Sequence, residues 1–267
     1  MDLNVWQIVV IFTAAFVAGV MNALAGGGTI LTFPALIWIG LEPVVANITS
    51  TVALLPGALS SFFGYRKEMS GSRRWIEIFI LPSIIGGLLG ALLLLLTPPR
   101  FFALIVPYLI LFATVLFAFQ EPLNRRLRRS TEAAREFASG TEQQNGVSNK
   151  WRIGAVALQF FVAIYGGYFG AGVGILMLAT LGLIGLTDIH QMNGLKNALG
   201  FSINSIAAVS FIVSGQVRWS AALVMAIAAI VGGYSGAHLA RKLGRTFARR
   251  AVIVIGLIMT LSLFIKQ

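Results

Sequence analysis

The chain of 267 residues contains no cysteine and little charge. Without thiols it can build neither a disulfide framework nor thiolate chemistry. Asp, Glu, Lys and Arg make up 11% of the residues against 57% hydrophobic ones, and the mean hydropathy is +0.86. That is too little polar surface to dissolve a globule, so a bilayer is the expected solvent. Acids are scarcer than bases, nine against twenty, leaving a net charge of +11. The bases are confined to short connections and one longer segment, a distribution that marks membrane orientation and argues against a nucleic-acid face. Histidine occurs twice. No His-Glu-x-x-His motif, phosphate-binding Gly-x-x-x-x-Gly-Lys sequence or metal-ligand cluster is present, so no metal, cofactor or ATP-driven step is expected. The start, Met1-Asp2-Leu3-Asn4, has no base ahead of its apolar run and no polar region after it, so the run reads as a retained helix and not a cleaved signal.

What is abundant is repetition. At an offset of 146 residues Ala25-Gly26-Gly27-Gly28 falls on Ala171-Gly172-Val173-Gly174, Glu42 on Asp188 and Asn47 on Asn193. Gly86-Gly87-Leu88-Leu89-Gly90-Ala91 likewise falls on Gly232-Gly233-Tyr234-Ser235-Gly236-Ala237. The offset holds without gaps over about sixty-five residues, which marks two copies of one unit. Apolar segments run at 6–25, 29–40, 43–64, 76–96 and 101–119, and again at 152–169, 173–186, 190–214, 219–240 and 248–265. Residues 1–119 and 152–267 therefore read as two membrane repeats, joined by a polar, cytoplasmic linker at 120–151 with an amphipathic helix near 125–137. The fold expected is an all-α polytopic bundle of eight to ten segments. The second segment of each set is too short to cross roughly 30 Å of hydrocarbon untilted, and paired short segments at matching positions point to a binding site between repeats.

Loop charge sets the orientation. If all ten segments cross, Arg66, Lys67, Arg73, Arg74, the linker bases and the group from Arg241 to Arg250 share one side, with Arg100, Arg218 and Lys266 opposite. If the short segments re-enter, the group from Arg241 to Arg250 lands outside. The positive-inside rule favours the first arrangement, five plus five with inverted halves.

Both short segments follow glycines, Gly26-Gly27-Gly28-Thr29 and Gly170-Ala171-Gly172-Val173-Gly174. The unpaired amides and positive dipole end of a helix start favour an anion there; the alternative is that the glycines serve turns and close packing. In the following helices Asn47, Ser50 and Thr51 correspond to Asn193, Lys196 and Asn197. Four-residue spacing puts Asn47 with Thr51, and Asn193 with Asn197, on one face, as substrate lining or as hydrogen bonds between helices. Lys196, about one and a half turns into an apolar helix, is an anion counter-charge or a snorkelling base. Glu42 and Asp188 precede equivalent helices, where acids complement the dipole; proton coupling through them, with His190, is the lesser reading. Glu77, beside a basic loop, reads as a surface ion-pair partner. Gly233-Tyr234-Ser235-Gly236 has the Gly-x-Ser-Gly form of rhomboid-type proteases, but the repeat puts Leu89 at the serine position and gives both copies a small-residue packing face.

The run Met21-Asn22-Ala23-Leu24-Ala25-Gly26-Gly27-Gly28-Thr29-Ile30-Leu31-Thr32-Phe33-Pro34, followed by Ala46-Asn47-Ile48-Thr49-Ser50-Thr51, resembles the TauE/SafE sulfite exporter family, membrane transporters of the 4-toluenesulfonate uptake permease type. So do Gly167-Tyr168-Phe169-Gly170-Ala171-Gly172-Val173-Gly174 and Met192-Asn193-Gly194-Leu195-Lys196-Asn197. The resemblance implies a multi-pass transporter in a bacterial inner membrane for a small sulfur-containing anion such as sulfite, a sulfonate or sulfoacetate, by export or by proton-coupled uptake. It also implies about eight spans, where the loop charges favour ten.

Overall fold

A computed structural model describes residues 3–24, 27–64, 72–138, 149–183, 186, 189–243 and 245–265. These residues form ten helices and no strand: α1 (Val5–Leu24), α2 (Thr29–Trp38), α3 (Pro43–Gly64), α4 (Arg73–Leu96), α5 (Pro99–Ala138), α6 (Asn149–Tyr168), α7 (Val173–Leu183), α8 (Ile189–Val213), α9 (Trp219–Leu243) and α10 (Arg245–Ile265). Pro43 and Pro99 stand at first helical positions, where a missing N–H costs no intrahelical bond. Pro98 forces Thr97 into extended backbone (ψ 124°) and so ends α4. The α2 terminus closes with Gly40 N–H on the Ile37 carbonyl and Leu41 N–H on the Leu36 carbonyl.

Among the described residues four helices are long and apolar enough to cross a membrane, at Val5–Asn22, Arg73–Leu96, Pro99–Phe119 and Gln191–Val213. The expected short pair appears as α2, of 10 residues, and α7, of 11 residues. At about 1.5 Å per residue each reaches only about half of a 30 Å core. The amphipathic helix expected near 125–137 appears as the continuation of α5, one helix of 40 residues that runs unbroken from the apolar segment to Ala138. The extension is rich in Leu, Arg, Glu and Ala, which favour helix without adding hydropathy.

α2 folds back along α1. Gly28 lies against the Ala18 carbonyl and Asn22, while at the other end the Trp6 and Trp38 rings meet edge to face at 6.5 Å and Gln7 Nε2 donates to the Ile39 carbonyl at 3.2 Å. The chain thus returns, by α2, to the end at which α1 began. From Val5 to Ala18 is about 20 Å of helix, which puts the glycine turn at membrane depth.

The halves interlock through their fourth helices. α4 packs on α6 and α8 of the second half, and α9 packs on α1 and α3 of the first; α3 meets α8, and α5 meets α10. The 146-residue shift turns the pairings of α4 with α6 and α8 into those of α9 with α1 and α3, and returns α3 with α8 and α5 with α10 onto themselves. Lipid offers helices no hydrophobic drive to associate, so close packing must supply the attraction. Glycines permit it: Gly232 sits on the Phe16 carbonyl and Gly19 on Ala229, while Gly86 and Gly90 sit on the Phe160 and Ile164 carbonyls and Gly87 meets Gly167. The small-residue face read from both repeats is this crossing.

A Cβ at Gly232 would collide with backbone, whereas one at Gly154, on α6, would meet nothing within 4 Å. Gly232→Leu is therefore expected to destabilise the fold by about 1–3 kcal/mol, the typical cost of overpacking, and so to lower the melting temperature in detergent. Gly154→Ala is expected to leave the melting temperature unchanged or to raise it, in line with a gain of up to about 1 kcal/mol in helix propensity.

Candidate functional site

Two sharp turns at membrane depth organise the centre. Gly27 adopts φ 99° ahead of α2, and Gly170 and Gly172 adopt φ 74° and 76° ahead of α7, a backbone region costly to residues with a Cβ. Turns in that setting expose amides and carbonyls that lipid cannot satisfy, so the protein must. The first turn is held by side chains of its own half: Gly28 N–H donates to Asn22 Oδ1 at 2.8 Å. Thr32 Oγ1 donates to the Gly28 carbonyl at 3.2 Å, which leaves Ser50 Oγ to donate to Thr32 Oγ1 at 2.6 Å. The second turn is held by the buried Tyr165 hydroxyl, which donates to the Ala171 carbonyl at 2.6 Å.

Between the turns lies a cavity of about 660 Å³, open solvent at its mouth included. Its walls come from both halves. Thr51, Leu54 and Ala58 on α3 face it, and so do Asn197, Gly200 and Asn204 on α8. Each of the first three is the 146-residue counterpart of one of the second three. Gly27 and Thr29 line it from the first turn, and Gly170, Val173 and Gly174 from the second. In the first turn of α7 Val173 N–H bonds the Gly170 carbonyl and Ile175 N–H the Gly172 carbonyl, leaving the intervening Gly174 amide directed at no carbonyl of the turn. Lys196 lines the cavity although only 4% of its surface is accessible. Asn197 presents a buried Nδ2 that has no hydrogen-bond partner. Leu54, Ala58, Met177 and Phe201 give the same space an apolar side.

The sequence profile described as "Sulfite exporter TauE/SafE" matches residues 11–263. The chain belongs to the TauE/SafE family. It is thus a multi-pass membrane transporter. A probable membrane transporter protein of Haemophilus influenzae is 26% identical over 268 residues, which cover 100% of this chain and 98% of that one. The probable membrane transporter protein YfcA of Escherichia coli K12 is 25% identical over 257 residues, 95% of this chain and 88% of that one. YunE of Bacillus subtilis, with the same description, is 28% identical over 247 residues, 88% of this chain and 89% of the relative. No solved structure matches.

In this TauE/SafE chain the cavity gathers six of the expected residues, Gly27, Thr29, Thr51, Gly174, Lys196 and Asn197. Others are close by but engaged in the framework. Gly28 gives its amide to Asn22, and Ser50 gives its hydroxyl to Thr32. Asn47 Nδ2 donates across the halves to the Tyr168 carbonyl at 2.8 Å, and Thr51 Oγ1 donates to the Asn47 carbonyl at 3.0 Å. Gly172 is buried against Ala113 and Leu116 of α5. Asn193 is half-buried on α8 and does not line the cavity. Glu42 is exposed at the start of α3, where its carbonyl accepts the Ala46 amide, and is away from the cavity. Gly26, Asp188 and the side chains of His190 and Ser235 lie outside the described residues. Glu77 pairs with Arg73 at 2.9 Å on the surface, as its setting beside a basic loop implies.

Sequence reasoning missed Asn22, Phe201 and Asn204. Asn204 had a signal, since Lys196, Gly200 and Asn204 recur every four residues along one face. Asn22 had none, because its repeat counterpart is Tyr168 and pairing across copies passes over it.

Proposed function

We propose that the protein moves a small sulfur-containing oxyanion across a bacterial inner membrane by alternating access, at the cavity between its halves. The observation that carries this reading is the cavity itself, where Lys196, only 4% accessible, lines a space bordered by the glycine turns of both halves. A charge is costly at that depth and is retained where it meets an opposite one. The starts of α2 and α7 border the same cavity and add partial positive charge, and the Asn197 amide supplies an uncommitted donor. Tetrahedral oxyanions with several acceptor oxygens match such a set. The apolar side built by Leu54, Met177 and Phe201 favours a sulfonate with a short organic body over bare sulfite.

Export is the direction favoured. With the cytoplasm negative, an outgoing monoanion gains about 2.3 kcal/mol per 100 mV, so no coupled ion is required. Uptake would need a cotransported cation such as a proton. The catalytic alternative gains nothing here: Gly232, beside the Gly-x-Ser-Gly stretch, packs against α1, and Tyr234 within it faces outward.

The halves are read as inverted. The return of α2 to the starting end of α1, through Trp6–Trp38 and Gln7–Ile39, gives the first half an odd number of passes. Because the chain lacks cysteine, single cysteines report sidedness directly. Pro98→Cys and Gln216→Cys are expected to react with an impermeant maleimide added outside cells, and Gly146→Cys in the linker only after permeabilisation. Labelling of Pro98→Cys and Gln216→Cys on opposite sides would overturn the inversion.

In proteoliposomes, sulfite, sulfoacetate, taurine, thiosulfate and sulfate should be tested at two membrane potentials. At least one is expected to move, and Lys196→Gln should raise its KM about tenfold or more, equivalent to about 1.4 kcal/mol. Folded protein that moves none of them would refute transport of this class.

A further inference from the structure

Cavity donors are distributed unequally between the halves. From the second half α8 contributes Lys196, the orphaned Asn197 amide and Asn204. The facing wall of α3 carries Leu54 and Ala58 at the positions that match Gly200 and Asn204, and Thr51, whose hydroxyl proton is given to the Asn47 carbonyl. An anion held only by α8 would stay with α8 when the bundle of α4, α6 and α8 moves against that of α1, α3 and α9, and would not couple them. On the α1 and α3 side Thr29 and the start of α2 border the cavity, and a side-chain amide there would complete the coupling.

Asn22 supplies that amide. It stands in the last turns of α1, lines the cavity, and accepts the Gly28 N–H through Oδ1 at 2.8 Å. Since an N–H must meet the oxygen, that bond fixes the orientation of the carboxamide and leaves Nδ2 as its other end, carrying two donors. No described acceptor meets them. The Gly28 amide, a candidate to bind an anion itself, is consumed in the process, and Asn22 relays the donor from the turn to the cavity.

We infer that Asn22 binds the transported anion through Nδ2 while Oδ1 holds the first glycine turn, and that Asn204 faces it from the second half. The assignment rests on the transport reading above and adds to it a ligand contact from each half. Occupancy would then bear directly on the backbone at Gly28, the pivot between α1 and α2, so that binding and rearrangement share one side chain.

Asn22→Asp separates the two roles, because aspartate still accepts the Gly28 N–H but donates nothing and repels an anion. The measurements are thermal stability in detergent and the KM and kcat of proteoliposome flux for sulfite, sulfoacetate and thiosulfate. Expected are a melting temperature near wild type for Asn22→Asp, a KM at least tenfold higher for every anion that the wild type carries, and a lower melting temperature for Asn22→Ala. If Asn22 only pins the turn, Asn22→Asp transports with wild-type KM while Asn22→Ala is impaired, and the inference fails with the transport reading intact. Should Asn22→Asp not fold, Asn204→Asp reads the same cavity from the opposite wall, where an unchanged KM overturns the pairing. A wild type that carries none of the three anions, nor any other of the panel, refutes the transport reading and this assignment with it.

Discussion

Every part of this architecture depends on one constraint: backbone polar groups at membrane depth must find partners within the protein. A continuous helix satisfies it without help, and most of the chain is continuous helix. The exceptions are the two glycine turns, and each is enclosed by its own hydrogen bonds. Asn22 takes the Gly28 amide, Thr32 and Ser50 stand in line behind the Gly28 carbonyl, and Tyr165 takes the Ala171 carbonyl. Broken helices at this depth would be a defect in a purely structural bundle. Two of them facing one cavity are coherent with a polar guest, because the same amides that are costly in lipid become donors once a wet cavity lies beside them.

The exchange of fourth helices gives the turns a rigid frame that can still divide. α4 with α6, and α9 with α1, cross so closely that glycines touch carbonyls, and such contacts have no slack. The surface between α3 and α8 is different, being the place where the cavity opens. Tight crossings therefore tie each first helix to the fourth helix of the opposite half, and any relative motion concentrates at the cavity and at the links across it. One such link is Asn47, whose Nδ2 holds the Tyr168 carbonyl across the halves while its buried Oδ1 goes unpartnered.

Hydropathy and the repeat made nearly all of the helices legible, including the short α2 and α7, because a bilayer writes its thickness into the sequence. α5 shows where that stops: past residue 119 the amphipathic pattern gave the helix near 125–137, but hydropathy did not show that it continues the apolar segment without a break. Six site candidates reached the cavity because glycine clusters and four-residue polar spacing are geometric statements about turns and faces. Ser50 and Asn47 satisfied the same spacing but are turned into the framework, and spacing alone cannot tell a hydroxyl that meets a guest from one that meets Thr32. Asn22 was missed for the opposite reason, since comparing copies finds what they share.

The functional chemistry lies where the copies differ. The frame is symmetric: glycine on glycine, Asn47 on Asn193, Thr51 on Asn197. The charge is not, since Lys196 replaces Ser50, and neither is the way each turn is held, since Asn22 has Tyr168 as its counterpart and Tyr165 has Gly19. A perfectly symmetric site would present two cations or none. Two would hold an anion too firmly to release it, and none would leave the anion undercompensated in a low dielectric, where one unit charge 4 Å away is worth about 4 kcal/mol at an effective constant of 20. On the proposed reading, a single lysine on one wall and neutral amides on both would let an anion be attracted from one side and still be shared across the cavity, which is what a carrier must do to take its cargo through a rearrangement and let it go.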